Sequence, residues 1–412
     1  MLTLTRRALP AEAPDLGAGL HPVLRRVYAA RGLRCAEDLN LSLERLAPVG
    51  SLGGAIEAAQ LLLHHRAGRV LVVGDFDADG ATSTALMLRA LRGWGFPAVD
   101  FLVPNRFEYG YGLTPEIVAV AAERAPTLIV TVDNGVSSHA GVSAARARGI
   151  DVLITDHHLA GAALPDANVI VNPNLPGNGF ASGALAGVGV AFYVCAALRR
   201  ALEAAGLLSA GAAPISTLLD LVALGTVADV VPLDANNRVL VAQGMARIRA
   251  GRCVPGIAAL LAVARRSASE LTAADLGFAV APRLNAAGRL TDMSIGIRCL
   301  LSDDEGEARS LASELDALNA QRREIEADMQ LTALAAVRAL EAADSGVQRA
   351  GVCLFDATWH QGIVGLVAGR VKERLRRPVV AFALSDERNL RGSARSVPGV
   401  HIRDVLEAIA TR

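Results

Sequence analysis

Three apolar runs in the first half of the chain each give way to a polar cluster. Residues 70–73 lead into Gly74-Asp75-Phe76-Asp77-Ala78-Asp79-Gly80, residues 128–132 into Asp133-Asn134-Gly135, and residues 152–154 through Thr155 into Asp156-His157-His158. Stretches with helical spacing, near residues 82–92, 115–124 and 138–148, lie after the first cluster and on either side of the second. Alternation of this kind predicts a parallel sheet with helices on its faces. Unbroken apolar strands are expected when both faces are covered. Such sheets bind ligands in the crevice outside the carboxyl ends of their strands, which is where the three clusters fall. Ala228-Asp229 adds a further acid after another long apolar run.

At 412 residues the chain suits two or three domains. Cationic and anionic residues balance at 41 each, so affinity for a nucleic acid has to come from a local basic groove. Lys372 is the sole lysine; every other cationic residue is arginine. Cys35, Cys195, Cys253, Cys299 and Cys353 are far apart and unpaired in spacing, which fits reduced thiols filling cores better than a disulfide framework. Arg6, Arg7 and Pro10 interrupt the N-terminus, so no secretion signal is expected and a cytoplasmic location is. Residues 180–198 carry no charge over nineteen positions, the length of a membrane span. Their Gly, Ala and Val content, after a Pro/Asn/Gly loop at 172–179, reads instead as a helix pressed on a sheet, and no membrane partner is expected.

Four segments follow from the pattern. Residues 1–68 read as an N-terminal helical segment, and 69–303 as an α/β domain whose second half, with helices near 183–205, 215–226 and 238–248, turns helical. Residues 304–343 contain no Pro and only Gly306, with Leu311, Leu315, Leu318, Ile325 and Met329 at helical steps. That predicts one long linking helix, reaching roughly 55 Å at 1.5 Å per residue, with a break near Asn319 or Gln321 as the alternative. Residues 344–412 read as a smaller α/β unit: strand 351–355, helix 363–375, strands 379–384 and 389–395, helix 401–410. Eleven Arg or Lys against six acids after residue 345 make this piece locally basic, so an anionic partner is expected there.

The aspartates of Asp75-x-Asp77-x-Asp79-Gly80 cannot all share one strand face, so at least one turns through the loop before a helix beginning near Ala81, and one can serve as its cap. An EF-hand loop fits poorly, because Leu86 stands where the bidentate Glu belongs. Carboxylates with one or two imidazoles, and no thiolate, suit Mn²⁺ or Mg²⁺. Two such ions about 3.5–4 Å apart would polarise a phosphoryl oxygen and supply hydroxide for in-line attack. Arg106, Arg283 and Arg289 offer planar forks for phosphate oxygens, and Tyr109 or Tyr111 a face on which a base stacks. The bland alternatives are that the tyrosines pack a Gly-rich loop, that Arg289 pairs with Asp292, and that Trp359-His360 is a packed helix cap.

The ordered set DxDxDG, DNG, DHH and TVADVVPL resembles the DHH phosphoesterase superfamily. Pro104-Asn105-Arg106 with Tyr109-Gly110-Tyr111-Gly112, residues 282–289 (PRLNAAGR), residues 359–365 (WHQGIVG) and Gly392-Ser393-Ala394-Arg395 narrow the resemblance to the RecJ family of bacterial single-strand-specific exonucleases. It runs from about residue 40 to the C-terminus. The resemblance implies a DHH domain joined by the long helix to a DHHA1-type domain. It makes Asp77, Asp79, Asp133, His157 and Asp229 ligands to two Mn²⁺ or Mg²⁺ ions, with Asp75 a further ligand or a supporting carboxylate. His158 would contact the scissile phosphate, and Arg106, Tyr111, Arg283, Asn285, Arg289, Ser393 and Arg395 the DNA. Family members continue past the GSAR segment into a glycine-glycine-histidine motif and an OB-fold that do not follow Arg412, so the last domain is expected to be incomplete.

The leading expectation is thus a 5′ to 3′ exonuclease on single-stranded DNA, with single-strand-binding protein and a helicase as partners in repair and recombination. A phosphodiesterase acting on short oligonucleotides or cyclic dinucleotides is the alternative. A non-catalytic subunit is disfavoured because the acidic set is complete.

Overall fold

The fold is a computed structural model that describes residues 8–10, 12, 14–17, 19–343 and 350–410. The ends of the first and last expected segments, residues 1–7 with Arg6 and Arg7, 344–349 and 411–412, lie outside the described residues. Helix α1 (Pro22–Ala30), three short 3₁₀ turns and α2 (Ala55–His64) form the N-terminal segment. Five strands follow with helices between them: β1 (Arg69–Gly74), α3 (Ala78–Gly93), β2 (Ala98–Leu102), α4 (Pro115–Ala122), β3 (Leu128–Val132), α5 (His139–Arg146), β4 (Asp151–Thr155) and β5 (Val169–Val171). The sheet is parallel throughout, in the order β2-β1-β3-β4-β5.

Successive side chains on a strand point to opposite faces, and both faces here are covered. Val70, Val72 and Val130 pack with α2, α3 and the later helices, whereas Leu71, Val73 and Ile129 pack with Ile117 and Val142 of α4 and α5. That double coverage is why the strands read as continuous apolar runs. The register places Gly74 beside Val132 and Val132 beside Thr155, so the polar clusters emerge together at one edge.

The helical half comprises α6 (Gly187–Ala204), α7 (Leu219–Ala228), α8 (Ala235–Arg249), α9 (Pro255–Val263) and the single turn α10 (Ala273–Asp275). A π-turn at Leu276–Val280 then runs into α11 (Ala281–Leu290), followed by α12 (Ser294–Leu301). The uncharged stretch at 180–198 is a loop followed by most of α6, buried against α2 and α3. Among the described residues no single helix is long and apolar enough to cross a membrane.

Helix α13 (Glu305–Ala343) runs unbroken for 39 residues, so the alternative of a break near Asn319 does not hold. Asn319 is buried and accepts a hydrogen bond from Arg322 at 3.0 Å. The helix serves two cores: Ala308, Ala312 and Leu315 belong to the first, Met329, Ala333 and Val337 to the second. The second core carries β6 (Val352–Phe355), α14 (Val364–Leu375), β7 (Val379–Leu384), β8 (Leu390–Arg395) and, beyond them, α15 (Ile402–Ala410). Its sheet order is β6-β7-β8, with β6 parallel and β8 antiparallel to β7.

Two local expectations change. Helix α3 starts at Ala78, not near Ala81, because Asp77 caps it by accepting from Gly80 N at 3.0 Å. All five cysteines are free, and Cys195 and Cys299 are buried, but Cys353 is exposed on β6 and fills no core.

Candidate metal centre and phosphate cleft

Asp75 lies just beyond β1, Asp77 caps α3, and Asp79 sits in its first turn. Gly80 is helical, not a loop pivot. A Cβ there would lie 2.6 Å from Asp75 O, so glycine lets the helix close onto the end of the strand. Asp79 is almost fully buried and accepts from Gly187 N at 2.6 Å and Val188 N at 2.9 Å, the free amides at the start of α6. Asp133 follows β3 with φ +62°, a left-handed turn that swings its carboxylate into the same space.

His157 closes the set. Its Nε2 is 3.1 Å from Asp133 Oδ1, 3.6 Å from Asp229 Oδ2 and 4.0 Å from Asp79 Oδ2. Asp229 caps the C-terminus of α7. Two donor groups result, Asp79/His157/Asp229 and Asp75/Asp77/Asp133, and Asp133 also groups with His157 and His158; within each, one ligand atom per residue lies within 4.8 Å of the others. Burial, followed by repulsion from neighbouring aspartates, pushes Asp75 up to about 8 and Asp229 up to about 6, and raises Asp79 and Asp133 well above the usual carboxylate range. Burial pulls His157 down to about 4, so it is a neutral donor. Asp133 Oδ1 and His157 Nε2 are buried with no hydrogen-bond partner. Oxygen-rich donors with one imidazole, orphaned and mutually repelling, fit a divalent cation of the Mn²⁺ or Mg²⁺ kind.

His158 is held from behind. Its Nδ1 lies 2.8 Å from Asp156 Oδ1, and that hydrogen bond raises it to about 9. Asp156 also accepts from the backbone of Val136, His157 and His158. Burial alone would raise Asp156, yet these bonds hold it below the usual carboxylate range. His158 is therefore a cation at neutral pH, with Nε2 left for a ligand.

On the Asp77 side the centre opens into a cleft of about 260 Å³ between the two domains, lined by Phe76, Asp77, Arg106, Arg289, Ser393 and Arg395 among others. Asn285, Gln361 and Arg391 also line it. Arg106 lies over the Phe76 ring at 4.5 Å, and Arg391 donates to Arg106 O at 2.6 Å. Burial, then the charge of Arg106, lowers Arg289 to about 10, which leaves it cationic at neutral pH. Among the described residues none of Arg106, Arg289, Arg391 and Arg395 forms an ion pair with a carboxylate, and with Asp77 the one acid in the lining the cleft carries excess positive charge. Arg289 does not pair with Asp292; it donates to Gly362 O at 3.3 Å across the domain boundary.

Tyr111 sits between centre and cleft, its hydroxyl donating to Asp133 O at 3.3 Å and its ring edge-on to Phe76 and His158. Tyr109 packs with α4 and α5 instead. Arg283, expected on the DNA, does not line the cleft: it donates to Ala279 O and forms an ion pair with Asp316 of α13 at 2.8 Å. Six residues along α11 turn it roughly 120° from Arg289 at about 100° per residue.

A family model described as "DHH family, N-terminal domain" matches residues 69–226, and a "DHHA1 domain" model matches 347–412. The chain is 56% identical over 411 residues to the single-stranded-DNA-specific exonuclease RecJ of Escherichia coli, covering 98% of this chain and 71% of that protein. The chain belongs to the RecJ family. The RecJ of Thermus thermophilus is 36% identical over 92% of this chain and 52% of its own length. A crystal structure of exonuclease RecJ bound to manganese matches with TM-score 0.73 and 35% identity, covering 88% of this chain and 86% of that one. The crystal structure of RecJ from Thermus thermophilus in complex with Mn²⁺ matches with TM-score 0.76 and 33% identity, covering 93% of this chain and 53% of that one.

Asn285, expected on the DNA from its motif, lines the cleft and also accepts from Ala78 N at 2.8 Å, which ties α11 to the start of α3. Two features of this RecJ-family chain escape a reading by motif. Asp156 orients His158. Arg391 joins the cleft from β8, where its alternation with Ser393 and Arg395 along one strand was the available signal.

Proposed function

We propose that this chain degrades single-stranded DNA from its 5′ end, releasing 5′-mononucleotides by phosphodiester hydrolysis assisted by two divalent cations. Membership of the RecJ family makes it a metal-dependent exonuclease. The observation that carries the finer reading is the contiguity of the carboxylate and histidine centre with the arginine cleft, which share Asp77.

Asp75, Asp77 and Asp133 would hold one Mn²⁺ or Mg²⁺ ion, and Asp79, His157 and Asp229 the other, with Asp133 between them. Bound there, the ions would supply Lewis-acid polarisation of the phosphodiester and a nucleophilic water at neutral pH. The chain's own residues do the rest. Four arginines exceed what one backbone phosphate needs and suit the extra charge of a terminal phosphate, gripped through planar forks. His158, held cationic by Asp156, faces the charge that builds on the phosphoryl oxygens. Tyr111 offers a face for the terminal base. A cleft of about 260 Å³ between two domains suits one strand, so duplex has to be opened first. That need proposes a helicase and single-strand-binding protein as partners, in cytoplasmic repair and recombination.

Hydrolysis of 5′-labelled single-stranded DNA, compared with a dinucleotide and with duplex, tests this in Mn²⁺ and in chelator. Release of labelled mononucleotide from the long strand, abolished by chelator, is expected. Hydrolysis of the dinucleotide alone would replace this reading with that of a short-oligonucleotide phosphodiesterase.

A further inference from the structure

The Pro/Asn/Gly loop that leaves β5 carries Asn172, Asn174 and Asn178, and none of them belongs to the donor groups or lines the cleft. β5 runs parallel to β4 with Val171 beside Thr155, so Asn172 emerges next to Asp156 and the histidine pair. Asn172 is fully buried and donates from Nδ2 to His158 O at 2.8 Å. Asn174 donates from Nδ2 to His157 O at 2.5 Å. Asn178 donates to Asn172 O at 2.7 Å and accepts from Gly53 N at 3.2 Å, just ahead of α2.

These are not the bonds of an isolated turn. An asparagine that only closes a turn bonds the backbone about two residues on. Asn172 makes that bond as well, accepting from Asn174 N at 2.8 Å. The amides of Asn172 and Asn174 instead reach back 14 and 17 residues. From the other side Asp156 Oδ1 accepts from His157 N at 2.7 Å and from His158 N at 3.1 Å. Every backbone N–H and C=O of the histidine pair is thereby bound. Because a residue's backbone has only two soft torsions, each histidine keeps little freedom beyond those of its side chain. The far end is anchored too: a Cβ on Gly54 would lie 2.6 Å from Ile170 O, so the start of α2 is pressed against β5.

We propose that Asn172, Asn174 and Asn178 are positioning residues of the metal centre, a ladder of amides that fixes the backbone of the histidine pair and ties it to the N-terminal segment. This rests on the two-ion reading above. Asn174 sets where His157 Nε2 stands among Asp79, Asp133 and Asp229, and Asn172 sets where His158 meets the scissile phosphate. Asn178 braces Asn172 against the turn at Gly53.

Calorimetric titration of the chelator-treated full chain with Mn²⁺, alongside steady-state hydrolysis of single-stranded DNA, tests this. N174A should bind Mn²⁺ about 10–100-fold more weakly, the usual effect of removing a group that orients a metal-binding imidazole. N174L, which keeps the volume and loses the donor, should do the same. N172A should lower kcat by a similar factor at saturating Mn²⁺, with KM for the strand little changed. N178A, one bond further out, should move both quantities in the same direction by less. A role in packing alone would lower the melting temperature and leave ion affinity and kcat where they were. Should N172A fail to fold, N174A and N178A, at partly exposed positions, carry the comparison. If N174A and N174L melt at the parental temperature in chelator and bind Mn²⁺ with parental affinity, the ladder positions nothing and the proposal falls. Failure of the unaltered protein to bind Mn²⁺ would instead remove the metal centre on which it rests.

Discussion

Asp133 joins the donor groups on both sides of it, and within the centre it is the carboxylate that has a buried oxygen without a hydrogen-bond partner. Asp133→Asn keeps the shape and removes the charge. Hydrolysis of single-stranded DNA should fall by at least about 10²–10³-fold, while the chelated protein should melt higher, because one of several buried like charges is gone. Asp156→Ala should act differently. Losing the group that orients His158 should lower the rate by about 10–100-fold, the range seen for groups that orient active-site imidazoles, and should shift the alkaline limb of the pH profile downward as His158 loses its raised value of about 9. The acids also set a pH signature. Asp75 and Asp229 titrate at about 8 and about 6 in the fold, above their unfolded range. A group raised on folding stabilises fully below its unfolded value and loses that contribution as pH rises through the folded one. Chelated protein should therefore melt progressively lower between roughly pH 4 and about 8. Added Mn²⁺, which binds the deprotonated donors, should remove that fall; a flat profile in chelator would contradict the assigned burial of the cluster.

Packing between elements explains why these donors meet. Helix α6 approaches so closely that a Cβ on Gly187 would lie 2.7 Å from Asp133 Cβ and Oδ1. Gly187→Ala should destabilise by about 1–3 kcal/mol and weaken Mn²⁺ binding, measurable by calorimetry. Much of this arrangement is legible in the sequence. β1, β3 and β4 stand out as apolar runs because both faces are covered, and the acidic and histidine clusters follow because strand ends in a parallel sheet share one edge. What escapes is orientation around a helix. Arg283 and Arg289 look equivalent as residues of one motif, yet only Asn285 and Arg289, four apart, share the cleft face. The start of α3 is equally obscure, since Asp-rich sequence reads as loop until the cap from Asp77 to Gly80 N is visible.

The whole molecule is organised by α13, which contributes side chains to both cores and places the second domain over the first. Contacts from Arg289 to Gly362, Arg391 to Arg106 and Trp359 to Thr332 lock that placement. Gln321 is exposed midway between the two sets of core contacts, so Gln321→Pro tests the helix without disturbing either core. It should cost about 3 kcal/mol or more and split thermal unfolding into two transitions by calorimetry, with ion binding kept and DNA hydrolysis lost. The same division of labour has a temporal side. All the acidic and imidazole donors lie between residues 75 and 229, whereas three of the guanidinium groups that would grip a DNA end come from residues 289, 391 and 395. Since domains mature in the order in which the ribosome emits them, a nascent copy completes its cation centre well before the residues that would capture a strand terminus have been made.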